Sequence, residues 1–156
     1  MAAPFRFRLR TVLKLRKQKE NEHKRIVAAR VRELNGIRQR ADRIQQQIQR
    51  ETDAVRAGRS TGLLSIQDIG RHRHWLTHLQ RSLLDTHNQA RSTEAILAQE
   101  RSQLTQASRE AKAIEKLKER QKRRHDEEMR RKENRELDEM AVIRFPRVAI
   151  ADAIGS

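Results

Sequence analysis

The sequence predicts an all-α protein: a long antiparallel two-helix coiled-coil hairpin with an overhanging C-terminal helix. Composition is the first reason. The 156 residues are 37% charged and 35% hydrophobic, with 3% aromatic residues, five glycines and two prolines. So few large apolar side chains cannot fill a conventional globular core, and so little Gly and Pro argues against disorder or many turns. The second reason is a pair of heptad frames, in which seam residues recur alternately three and four positions apart. The third is a short glycine-bracketed segment between the frames, which favours an antiparallel return.

The first helix is expected over residues 8–56. Its frame runs through Leu34, Ile37, Ala41, Ile44, Ile48, Glu51 and Val55, with Glu51 a charged intruder. Continued backwards, it meets Arg30, Val27, His23, Glu20, Arg16, Leu13 and Leu9. The frame weakens between Glu20 and Arg30, where Ile26 and Val31 sit just off it. At about 1.5 Å per residue this helix would be roughly 75 Å long. Its opening, FRFRLRTVLKLRKQKE, has two readings. Phe5, Phe7 and Leu9 alternate with Arg6, Arg8 and Arg10, as in a short strand or a targeting peptide, and no acidic residue precedes Glu20. A mitochondrial presequence would explain that start. It would not explain a heptad frame that runs back through Leu13 to Leu9.

The tip is expected at residues 57–65. Gly58 and Gly62 bracket Arg59, Ser60 and Thr61, and glycine can take backbone angles closed to other residues. Ser65 followed by Asp68 resembles a capping box that opens the second helix, with Asp in place of the usual Glu.

The second helix is expected over residues 66–141. Its frame runs through Ile69, His72, Leu76, Leu79, Leu83, Thr86, Ala90, Thr93, Leu97, Glu100, Leu104, Ala107, Ala111 and Ile114. Folded about the tip, the frames bring Val55 near Ile66, Ile44 near Leu76 and Leu79, Ile37 near Leu83, and Leu9 near Ala111 and Ile114. The second helix outruns the first, leaving a charged overhang whose apolar residues, Leu117, Met129, Leu137 and Met140, await another protein. A tail, residues 142–156, follows. The whole chain reads as a single coiled-coil domain. Its seam is polar at Thr86, Thr93 and Glu100, and Gly36 and Gly70 each cost about 1 kcal/mol relative to Ala inside a helix. A soft hairpin stiffened by partners follows.

Net charge is +15. A basic surface attracts nucleic acid, anionic headgroups or an acidic protein. Most of the excess lies in the first helix; the second mixes both signs, as a salt-bridged solvated helix does. The run QKRRHDEEMRRK is interrupted by Asp126, Glu127 and Glu128, so it reads as solvated surface rather than a nucleic-acid face. No aromatic platform for single strands exists either. The chain has no cysteine, which excludes a disulfide framework and suits a reducing cytosol. Apolar runs are far too short to cross a bilayer.

No enzyme is expected. Phosphate-loop and GxSxG patterns are missing, and the carboxylates lie on helices without a cleft to shift their pKa values. No metal or other cofactor is expected: His74 and His78, one turn apart, lack a third ligand on that face, and Arg71 and Arg73 would repel a cation. Trp75, beside Leu76, reads either as a seam-covering flank or as a recognition anchor.

The opening stretch resembles the N-terminal signature of the flagellar export protein FliJ family. Phe5, Phe7, Leu9, Val12, Leu13, Leu15, Arg16 and Glu20 match its pattern. The segment ENRELDEMAVIRF is similar to the family's closing motif at residues 136–141. The resemblance covers about residues 5–145. It implies a gamma-subunit-like antiparallel coiled coil in the flagellar type III protein export apparatus, acting in motility at the cytoplasmic face of the membrane. It further implies insertion of the joined termini into the hexameric export ATPase FliI, through Phe5, Phe7, Leu9, Leu13, Arg16, Leu137, Asp138 and Glu139. The gate protein FlhA would be contacted through Trp75, Leu79, Ser82 and Thr86, and export chaperones would be escorted. A generic scaffold coiled coil and a basic nucleic-acid-binding coiled coil are the alternatives.

Overall fold

The computed structural model describes residues 4–153, with side chains described through Arg144. Two helices account for nearly all of it: α1, Arg10–Ser60, and α2, Ile66–Ala153. Among the described residues no strand occurs. The part of the expected tail beyond Ala153 lies outside the described residues; up to Ala153 the backbone is helical.

The chain divides into two compact units, Gln18–Ser108 and the paired terminal segments Met1–Lys17 with Arg109–Ser156. In the first, the descending part of α1 packs against the ascending part of α2 around the turn. The burial pattern follows the heptad frames. Leu34, Ile37 and Ala41 of α1 are buried, as are Leu79, Thr86, Thr93, Leu97 and Ala107 of α2. Ile44, Ile48, Glu51 and Val55 are half-buried at the next frame positions. Of the described side chains, no large one is fully enclosed, as expected for two helices that cover each other on one side only. Buried Thr86 donates its hydroxyl to the Ser82 carbonyl at 2.8 Å, so a polar seam position is satisfied within its own helix.

The two polar intruders of the separate frames meet. His72 Nδ1 lies 3.1 Å from Glu51 Oε2. A carboxylate only accepts, so the imidazole proton sits on Nδ1 in this contact. Arg38 also crosses to Glu94, at 2.5 Å.

The register differs from the expected one. Ile37, expected opposite Leu83, lines a groove with Asp85, Asn88, Gln89 and Thr93, further along α2. The cause is the turn. α1 continues a full helical turn beyond Arg56, to Ser60, and this moves the centre of the hairpin along the chain.

In the terminal unit, residues 4–7 are not helical. Phe7 and Leu13 are buried, as is Ala111 of α2. The Phe5 ring packs against His125, centroids 5.6 Å apart and planes tilted by 57°. Arg16 and Lys17 pair with Glu110 and Glu115 of α2. The first helix, expected from about residue 8, starts at Arg10. Most of the Phe and Arg alternation therefore precedes the helix, with Phe5 packed on His125 of α2 and Phe7 buried.

Candidate functional site

The turn is built by local chemistry. Gly62 takes φ +68°, a left-handed conformation that an L side chain adopts only at a cost. The last amides of α1 close back on it: Thr61 N–H donates to the Ala57 carbonyl at 3.1 Å and Gly62 N–H to Arg59 at 3.3 Å. The expected capping box forms. Asp68 N–H donates to Ser65 Oγ at 3.2 Å, and the Ser65 amide and hydroxyl donate to Asp68 Oδ2 at 3.2 and 2.6 Å. These hydrogen bonds from Ser65 hold the Asp68 carboxyl below its ordinary value of 3.8, with Arg71 and His72 adding attraction. Leu64 fills the space over Gly58, where an added Cβ would meet its Cγ and Cδ1 at 2.5 Å. The tip is therefore a defined structure rather than a slack loop.

Beyond it stands the first candidate stripe: Trp75, Leu79, Ser82 and Thr86. The structure splits these residues. Trp75 is 40% exposed, while Leu79 and Thr86 are each 4% exposed and Ser82 is half-buried. Leu79 and Thr86 belong to the hairpin seam. Trp75 stacks on His78, centroids 5.4 Å apart at 23°. An indole shielded on one face and open to solvent on the other is a preorganised apolar contact. His78 is occupied by that stack and His72 by Glu51. Among the described residues no group of three His, Cys, Asp or Glu is placed to hold a metal ion.

The second candidate set lies in the terminal unit and also divides. Phe7 and Leu13 are buried, Phe5, Leu9 and Arg16 half-buried; they join the start of the chain to α2. A pocket of about 620 Å³ lies beside them, lined by Phe5, Arg6, Phe7, Arg10 and Lys118. Leu137, Asp138 and Glu139 are exposed. So is every residue from 130 to 144, including Leu137 and Met140 at 63% each and Ile143 at 71%. Val142 and Ile143 were not singled out from the sequence, although they extend the Leu137 and Met140 pattern.

The sequence pattern of the family described as Flagellar FliJ protein matches residues 5–149. The chain belongs to the flagellar FliJ family. That span runs from Phe5, laid on α2, through the hairpin and past the exposed 130–144 segment, so both terminal motifs fall inside it. Membership in the FliJ family implies a component of the flagellar export apparatus. No curated protein and no solved structure matches it. Among the described residues no helix is long and apolar enough to cross a membrane.

Proposed function

We propose that this FliJ-family chain is a coiled-coil element of the flagellar type III export apparatus that inserts its joined termini into the hexameric ATPase FliI and promotes ATP hydrolysis. The end of α2 overhangs its partner and docks in the ring; Phe5, Phe7, Leu9 and Leu13 hold the two termini together rather than touching the ATPase directly. The carrying observation is the 130–144 segment, helical yet exposed on every side, with Leu137, Met140, Val142 and Ile143 uncovered. Contiguous uncovered apolar side chains on a soluble helix mark an interaction surface.

At the other site the chain meets the gate protein FlhA. Trp75 and Ser82 are the contacts, and Leu79 and Thr86 shape the helix beneath them. Escort of export chaperones and peripheral association with the cell membrane through the apparatus complete this reading.

The decisive experiment removes residues 130–156. The shortened chain should keep the hairpin's helical signal and unfolding midpoint but fail to stimulate the cognate ATPase. Undiminished stimulation would show that the end of α2 is not the ring-facing element.

A further inference from the structure

We infer that the hairpin tip is itself a lipid-contacting element, inserting Leu63 and Ile66 into the surface of an anionic bilayer. This stands apart from the proposed protein partners. Leu63 is 83% exposed and Ile66 90%, the highest values among the large apolar residues described. They flank the turn that Gly62 creates.

Between residues 51 and 73 four arginines outnumber three acids. Arg56 and Arg59 end α1, and Arg71 and Arg73 follow the start of α2; all four are exposed. The three acids each accept a hydrogen bond from a neighbouring side chain. Glu51 meets His72, Asp53 accepts from Gln49, and Asp68 accepts from Ser65. Arg56, Arg59 and Arg73 have no ion-pair partner among the described residues. Two apolar side chains rimmed by unpaired arginines are the combination that holds a peripheral element on anionic lipid.

The hydroxyls of the turn already have partners. Ser60 and Thr61 hydroxyls donate to the Ala57 carbonyl at 2.9 and 3.0 Å, and Ser65 is engaged with Asp68. Those hydroxyls then lose little hydrogen bonding to water when Leu63 and Ile66 enter the interface. The two side chains also project from a turn, without heptad continuation. A fluid acyl phase accepts such a pair without shape complementarity, whereas a helical partner would need a stripe.

The test is sedimentation of the full chain with vesicles of equimolar phosphatidylglycerol and phosphatidylcholine, beside vesicles of phosphatidylcholine alone. Binding should require the anionic lipid. Leu63→Gln with Ile66→Gln should weaken it by about tenfold or more. Arg56→Gln with Arg59→Gln should weaken it further than the same charge removal at exposed Arg25 and Arg32. The chain has no cysteine, so a polarity-sensitive dye at Leu63→Cys reports one site, and its emission should shift to the blue on anionic vesicles. The same dye at Gln46→Cys should not respond. Three results would overturn the inference: unchanged binding of the double Gln variant, an aqueous emission at position 63 on anionic vesicles, or equal binding to the neutral vesicles.

Discussion

The seam around Leu34 and Leu79 and the segment at residues 130–144 are both helical, and they differ in everything else. Leu34 is 5% exposed and Leu79 4%, whereas Leu137 and Met140 are 63% exposed. Residues 130–144 are rich in Arg, Lys, Glu, Leu and Met, all good helix formers. The seam tolerates poorer ones, such as Thr86 and Thr93, because packing against a second helix stabilises them. One region owes its helix to tertiary contact, the other to composition. A helix of the second kind is marginal in water, so its order is at the disposal of whatever binds it.

The same substitution should therefore act oppositely in the two regions. Leu79→Ala removes a buried side chain and should cost about 2–5 kcal/mol, seen as a lower urea midpoint in circular dichroism. Leu137→Ala should stay within about 0.5 kcal/mol of the parent but weaken ATPase binding. Equal destabilisation by both would mean that residues 130–144 are packed in solution, and would remove the basis for assigning them to the ring.

Trp75 sharpens the comparison, since it flanks the seam without entering it. Trp75→Ala should leave the unfolding midpoint nearly unchanged and cost gate binding about 2 kcal/mol, measured by calorimetry against the FlhA cytoplasmic portion. A fall in helicity with intact gate affinity would return Trp75 to a covering role.

How much of this was visible beforehand depends on the type of signal. Frame positions were legible because periodicity is local: the buried and half-buried residues from Leu9 to Val55 follow the frame, with few additions such as Val31 and Thr52. Register was not, because it depends on where the turn is centred, and Ser60 proved helical. The pairing of His72 with Glu51 lies within the expected register, where the same offset sets Ile44 near Leu79, and each residue stood out in its own frame. The Phe–Arg alternation looked helical only through the frame that continued into it; residues 4–7 are not helical, and Phe5 packs against His125 of α2. At the candidate gate stripe the family motif groups exposed Trp75 with buried Leu79 and Thr86, whereas the heptad frame alone already set Leu79 and Thr86 in the seam and Trp75 beside it.

Glycines give a smaller effect of either sign. Gly36 and Gly70 are helical, with nothing within 4 Å of an added Cβ, so Gly36→Ala or Gly70→Ala should each add about 1 kcal/mol. Gly62→Ala forces a left-handed L residue and should lose about 1–2 kcal/mol. Thermal unfolding of the three variants orders them. A neutral Gly62→Ala would mean that the turn relaxes readily and does not fix the hairpin's centre.

The smallest expected effect is the acid sensitivity of the tip cap. The Ser65 hydrogen bonds lower the Asp68 pKa below 3.8, so the folded state binds this proton less readily than the unfolded chain does. The carboxylate's contribution is fully present above the unfolded value. It declines as pH falls through the folded pKa, because protonation removes an acceptor from the Ser65 amide and hydroxyl. Near neutral pH no change is expected. The remaining acids also titrate on the way down, so the informative quantity is the difference in stability between the parent and Asp68→Asn. That difference should be constant from neutral pH to about pH 5 and shrink below the ordinary Asp range. Amide exchange at residues 66–69 provides a local readout, since fraying of the first turn of α2 exposes those amides before the seam opens. A stability difference that stayed constant into strong acid would show that Asp68 caps through geometry shared with Asn, and that its charge contributes nothing to the turn.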